Sequence, residues 1–231
     1  MAETKQQVVE RDQNEVVVDR AKDFWGRYSR IILIASAAII LLCGAYLAYK
    51  YLVKEPQEAK ASEAIFKAEE YYRSDSLNVA LNGDGINAGF LKIIDKYGGT
   101  KAGNLARFYA GSIYLKQGNF TNATKHLKEF DTDSKMIQAR GYKLLADAYA
   151  EGGKNTDALD AYKKAAQHFK EDEINSSEYL FLAAYFADRV LKNQKEAIDL
   201  FKELKEKYPR TEKGFEADKF LAQLGVYKEK E

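Results

Sequence analysis

The stretch K-Y-P-R-T-E-K-G-F-E-A, Lys207 to Ala217, repeats a phrase met earlier as K-Y-G-G-T-K-A-G-N-L-A, Lys96 to Ala106. The two share Lys, Tyr, Thr, Gly and Ala, five of eleven positions, in unbroken register. The likeness runs upstream, where Phe90 and Ile93 precede Tyr97 as Phe201 and Leu204 precede Tyr208. Shorter echoes fill the interval. Tyr114, Gly118 and Ala123 recur in the same order and spacing as Tyr149, Gly153 and Ala158. Ala158, Tyr162 and Ala165 recur after a slightly longer step as Ala197, Phe201 and Leu204, with the extra length placed in E-D-E-I-N-S-S-E, Glu171 to Glu178. A last step of similar length completes the interval. Self-similarity at such a period is the mark of stacked helical hairpins, because one hairpin cannot bury its apolar face alone. The phrase therefore marks the same joint at two ends of an array.

Each residue type has a physical part in this reading. Ala123, Ala158 and Ala197 let paired helices approach closely. Tyr114 and Tyr149 fill the space between the two helices of a hairpin while keeping a hydroxyl wet. Gly118 and Gly153 close the first helix through a left-handed residue, and Pro209 stops a helix. These residues resemble the tetratricopeptide repeat, a helix-turn-helix unit of about 34 residues. The resemblance runs from Asn104 to about Pro209 through Gly111, Tyr114, Gly118, Phe120 and Ala123, and then through the later echoes. The third unit departs from it, with Asp188 where Tyr is expected. Upstream, Glu58 to Arg73 reads as a helix, S-D-S-L-N-V-A-L-N-G-D-G as a loop, and Ile86 to Tyr97 as a partner helix. Gly214 to Leu224 reads as an amphipathic capping helix.

A second segment sets the topology. Ile31 to Tyr49 runs without a single charge, closed by Arg30 and Lys50. As a helix it rises about 28 Å, near the hydrocarbon thickness of a bilayer. Trp25, Tyr28, Tyr46, Tyr49 and Tyr51 stand where interfacial aromatics belong. A buried core helix of this length would show a polar face. A cleaved signal peptide would have a shorter charged lead than Met1 to Arg30. Leu42 precedes Cys43, which is unsuited to lipidation and reads as an ordinary apolar position. The segment reads as an uncleaved signal anchor. Arg20, Lys22, Arg27 and Arg30 before it slightly outweigh Lys50, Lys54 and Lys60 after it, favouring a cytoplasmic N-terminus.

The expectation is an all-α chain, an N-terminal transmembrane helix followed by a tetratricopeptide-repeat α-solenoid. Three to four hairpins and a C-terminal capping helix are expected. The domains are a tail at 1–30, the span at 31–53, a linker at 54–62 and the repeat domain at 63–231.

Chemistry is sparse. The chain holds 36 basic and 35 acidic residues, without the basic excess of a nucleic-acid binder. Its single cysteine forms no intrachain disulfide. His126 and His168 fall on second helices of different units and form no cluster. Asn82-Gly-Asp-Gly lacks the regular carboxylate spacing of a calcium loop and reads as a turn. Asn119-Phe-Thr and Asn122-Ala-Thr match the glycosylation acceptor pattern, which matters only in a eukaryotic secretory setting. No enzyme, cofactor or metal is expected.

What remains is a binding surface. In the repeat class, the first helix of each hairpin lines a concave groove. The resemblance places Leu105, Phe108, Ser112 and Leu115 there, then Arg140, Lys143 and Asp147, then Tyr179, Leu182, Phe186 and Arg189. Aromatic and cationic groups so placed suit a peptide partner. The order of the whole chain also resembles the ancillary subunit of the bacterial Sec translocon. The closest stretches are A-K-D-F-W-G-R-Y-S-R before the span and A-S-E-A-I-F-K-A-E-E-Y-Y after it. That family is a single-span inner-membrane protein with a periplasmic repeat domain. The resemblance implies translocon subunits, chaperones or exported chains as protein partners and the lipid bilayer around one helix. A competing likeness is the outer-membrane barrel-assembly lipoprotein, which shares the Y-P-x-T joint at Tyr208 to Thr211 but needs a lipidated cysteine. A cell-envelope scaffold, as in division, is the third reading.

Overall fold

A computed structural model describes residues 13–226. The chain divides into two compact units, Met1–Pro56 and Gln57–Glu231. All regular structure among the described residues is helical; Gly83 and Ala88 form only an isolated bridge.

In the first unit, α1 (Gln13–Tyr49) carries the apolar run and is followed by a π-helical segment, Lys50–Lys54. Glu55 N–H reaches back to the Lys50 carbonyl, the five-residue bond of a π turn. The window of highest hydropathy is wholly unburied, and Ile34, Ile40, Leu41, Leu42 and Cys43 all face outward. Greasy side chains left so exposed along one helix have no aqueous home. Among the described residues this is the one helix long and apolar enough to cross a membrane. The part of the 1–30 tail from residue 13 onward is helical; 1–12 lie outside the described residues.

The second unit is a stack of hairpins. The segment expected as a linker is helical instead: α2 runs Glu55–Arg73, with Ala61, Ile65 and Ala68 buried on one side. Its second arm is broken. A short α3 (Leu77–Asn82) forms inside the expected loop, and α4 spans Phe90–Tyr97 rather than starting at Ile86. The reason lies in Asp84, whose Oδ1 accepts from the Ile86 N–H at 2.8 Å. Its Oδ2 accepts from Tyr71 Oη and Asn87 Nδ2, each at 2.7 Å. Those bonds hold the Ile86 and Asn87 amides out of a helix. They also lower the Asp84 pKa well below the usual carboxylate range, with the Tyr71 hydroxyl as the largest cause.

Three regular hairpins follow: α5 (Lys101–Lys116) with α6 (Phe120–Lys128), α7 (Lys135–Glu151) with α8 (Asn155–His168), and α9 (Glu173–Arg189) with α10 (Gln194–Lys207). Helix α11 (Glu212–Gln223) closes the stack. Ala123, Ala158 and Ala197, the repeat's small residues, are all buried. Burying an aromatic such as Phe201 or Phe90 contributes on the order of 1.5–3 kcal/mol.

The quoted phrase now has its explanation. Thr100 and Thr211 cap α5 and α11, accepting from Gly103 and Gly214 N–H at 3.0 and 3.1 Å. Each threonine hydroxyl also donates to the tyrosine carbonyl that ends the preceding helix, Tyr97 at 2.7 Å and Tyr208 at 2.9 Å. A Cβ at Gly103 or Gly214 would run into that same carbonyl oxygen. Tyr, Thr and Gly are thus one joint.

The turn inside each hairpin is equally regular. Gly118 and Gly153 both have φ +72°. The following amides, Asn119 and Lys154, bond back to the Tyr114 and Tyr149 carbonyls at 2.8 Å. Asp75 (φ 57°) and Lys192 (φ 55°) occupy this place in the first and last hairpins without glycine's freedom.

Candidate functional site

The third hairpin turns differently from the others. Asn193 N–H reaches the Ala187 carbonyl, six residues back, whereas Ser76, Asn119 and Lys154 reach five back. One extra residue sits in this turn. The step from α7 to α9 is therefore one residue shorter than the step from α8 to α10. This register aligns Ala184 with Gly111 and Ala146, all buried at the small-residue position. It aligns Phe186 with Ile113 and Ala148, which face the preceding second helix.

The groove residues expected from sequence divide accordingly. Phe108, Ser112, Tyr179 and Phe186 are buried. Phe186 packs on Tyr162 at 5.7 Å, and Phe108 on Phe130 at 5.3 Å. Ser112 Oγ shares a 3.0 Å hydrogen bond with Tyr72 Oη. Tyr179 occupies the tight position of Ala106 and Gly141. Leu105, Leu115, Leu182, Lys143 and Asp147 are half-buried, while Arg140 and Arg189 are exposed. Lys143 Nζ donates to Asp147 at 2.8 Å, and the Tyr162 hydroxyl donates to the other Asp147 oxygen at 2.8 Å. Burial, with Asp147 beside it, raises the Tyr162 pKa far above the usual phenol value. Arg140 lies over the Phe108 ring.

The shift brings Glu178, Phe181 and Tyr185 to the α9 positions that correspond to Arg140, Lys143 and Asp147, with Phe181 buried, Glu178 half-buried and Tyr185 exposed. They form a cluster with α11. Phe181 meets Phe220 edge-on at 5.2 Å and stacks on Tyr185 at 6.1 Å, while Tyr185 meets Phe220 at 6.0 Å. Tyr185 is 43% exposed. Cations stand on both sides: Lys213 Nζ lies 4.7 Å over the Phe181 ring, and Arg189 lies 5.9 Å over Tyr185. Arg189 also bonds Gln223 at 3.2 Å and Asp188 at 2.9 Å, so it bridges α9 to α11. Beside the cluster, a cleft of about 530 Å³ opens between the N-terminal ends of α9 and α11. Ile174, Ser177, Glu178, Arg210 and Lys213 line it. The signal that finds these residues in sequence is the small-residue position: Tyr185 does not fit where Gly111 and Ala146 stand, whereas Ala184 does.

Polar groups elsewhere are engaged structurally. His126 stacks on Tyr114 at 5.6 Å, and His168 meets Tyr142 edge-on. The Asn119 side chain caps α6 by accepting from Asn122 N–H. Among the described residues no group of three His, Cys, Asp or Glu side chains is arranged to hold a metal ion.

Comparison with known proteins agrees with this architecture. No curated protein and no solved structure matches the chain. A tetratricopeptide repeat model matches residues 178–211, the third hairpin with its Tyr208 joint. A second model, the tetratricopeptide repeat-like domain, matches residues 22–146, from the apolar helix through the first hairpins into α7. By these matches the chain belongs to the tetratricopeptide repeat-like family, a class of protein-interaction modules.

Proposed function

We propose that this protein is a membrane-anchored adaptor that holds an extended or helical segment of another protein in the groove of its repeat domain. The single observation that carries this reading is the Phe181–Tyr185–Phe220 cluster, an aromatic anchor flanked by Lys213 and Arg189 on the groove face. Tyr185, exposed at the edge of this buried cluster, and exposed Arg189 are the groups a peptide would reach, and aromatic and arginine anchors supply most of the energy of such capture. Charges of both signs across the same face, Arg140 against Asp147 and Glu178, supply register. The test places a photo-crosslinking residue at Tyr185 in native membranes. Captured segments should disappear when Arg140→Glu and Arg189→Glu, both at exposed positions, are combined, with helical content unchanged. Equal capture by that variant overturns the groove as the site.

The finer reading is an accessory of the Sec translocon or a periplasmic chaperone-network adaptor that contacts exported chains. It rests on the chain's order, which resembles that ancillary subunit, and on one helix fit to cross a membrane. In this reading the anchor sits in a bacterial inner membrane with the N-terminus cytoplasmic and the repeat domain periplasmic. Protease added to sealed spheroplasts should cut the repeat domain; full protection would overturn the export-linked role. Recovery of channel subunits or nascent secreted chains at Tyr185 supports this reading. Barrel-assembly or division components would support the envelope-scaffold reading instead.

A further inference from the structure

We propose that segment 17–28 of α1 is an interfacial helix that lies on an anionic lipid surface beside the span, rather than standing upright in water. The inference rests on reading 31–49 as the membrane span and is independent of the groove. The segment is sharply two-faced. At about 100° per residue, Val17, Val18, Ala21, Phe24, Trp25 and Tyr28 fall within about 120° of arc. All six are exposed, Val17 at 64% and Trp25 at 56%, and Phe24 and Tyr28 pack on each other at 5.0 Å.

The polar residues say what covers this face. Arg20 and Arg27 border it on one side and Lys22 on the other. Asp19 and Asp23 sit near the opposite pole, with Arg30 between them in arc at the edge of the span. Because both borders are basic, lipid phosphates meet opposite charge there, and the two carboxylates are left in water. A second copy using the same face would set like charge against like. Trp, Tyr and Phe are also side chains that settle at the headgroup level. Length gives the same answer. Upright, Val17 and Ala21 would stand about 21 and 15 Å beyond Ile31, past a headgroup layer about 5–8 Å thick. Their apolar side chains would then stay in water. Helix α1 runs unbroken from Gln13 to Tyr49, so laying the face on lipid requires a bend toward it, which opens the opposite, polar side. Gly26 lies in that polar arc, where an added Cβ would meet nothing within 4 Å, and Ser29 follows three residues later. Glycine and serine so paired are a common site of helix bending. Held by both the span and the surface contact, the anchor takes one rotation and depth.

The test moves the chain's single tryptophan. In the full chain, Trp25→Phe is combined with Val17→Trp, Asp19→Trp or Ile40→Trp. Each protein is reconstituted in vesicles of mixed phosphatidylcholine and phosphatidylglycerol. Emission from Val17→Trp should be blue-shifted and quenched by lipids brominated near the headgroup. Emission from Asp19→Trp should be water-like and unquenched, and Ile40→Trp should be quenched by lipids brominated deep in the acyl chain. Adding Arg20→Gln, Lys22→Gln and Arg27→Gln together, or leaving out phosphatidylglycerol, should reduce quenching of Val17→Trp about twofold or more. Quenching of Ile40→Trp without quenching of Val17→Trp overturns this inference alone. No quenching of either overturns the span reading along with it. Equal quenching of Val17→Trp and Asp19→Trp, or no dependence on lipid charge, overturns the inference too. A blue shift of Val17→Trp without bromolipid quenching would assign the face to a second copy or another protein and overturn it equally.

Discussion

Lys192 stands with φ 55° where Gly118 and Gly153 do the same work at +72°. A side chain in this left-handed region crowds its own carbonyl, which glycine avoids. Lys192 is exposed, so replacing its side chain removes no buried packing. Lys192→Gly should therefore raise stability by about 0.5–1 kcal/mol, the relieved strain less the added freedom of the unfolded chain. A higher thermal midpoint with unchanged helical signal is the readout. His126 behaves in the opposite way. Burial first, and then the charge of Lys125, lowers its pKa below the ordinary 6.5. Its Nδ1 is buried with no partner. The folded state therefore resists protonation more than the unfolded one. Its contribution is complete above pH 6.5 and is lost as pH falls below that value. The thermal midpoint should drop between pH 7.5 and pH 5, and His126→Gln should flatten that drop. Parallel pH curves for the two proteins would refute the assignment.

Element boundaries and pairing were legible because the joints repeat. Thr100 and Thr211, Gly103 and Gly214, Gly118 and Gly153 each announce a cap or turn with a fixed geometric meaning. What sequence misplaced has two causes. In the first hairpin, the Asp84 bonds to Ile86 and Asn87 break the second arm, and no periodicity signals a side chain that competes with the helix. In the third, one residue added within the turn shifts α9 but not α10, so a register carried over from α10 names Phe186 for Tyr185. A groove site fails under a single-residue slip, because adjacent helical positions lie about 100° apart around a helix of 3.6 residues per turn; a fold assignment survives it. The close approach of paired helices is itself testable. Gly111→Val places new atoms against Leu127, whose Cγ would lie 2.5 Å from the added Cβ. The change should cost about 1–3 kcal/mol by overpacking. Gly111→Val combined with Leu127→Ala should recover part of that loss, since the shortened side chain vacates the space. A double variant no more stable than the single would show that the strain lies elsewhere.

The repeat domain is held by separate apolar clusters rather than one core. One joins α2 to α5 around Phe90, Ile93 and Ile113. Another joins α7 to α11 around Phe181, Phe201 and Leu204. Between them lies a small cluster of Ala123, Leu127, Leu145 and Ala148. In such an array stability is close to a sum of unit and nearest-neighbour terms, so damage should stay local. Phe201 is fully buried, stacked on Phe220 at 5.1 Å and edge-on to Phe181 at 5.8 Å. Phe201→Ala should cost about 3–5 kcal/mol. The loss should fall on α9, α10 and α11. Amide exchange there should accelerate, while α2 to α5 keep their protection. Phe90→Ala should produce the mirror image, exposing α2 to α5 and sparing the C-terminal hairpins. The functional consequence follows the same division. The aromatic anchor at Tyr185 depends on the C-terminal cluster alone, so Phe201→Ala should weaken partner capture there and Phe90→Ala should not. Uniform acceleration of exchange in both variants would mean that the stack unfolds as one unit, and the groove would then depend on every hairpin.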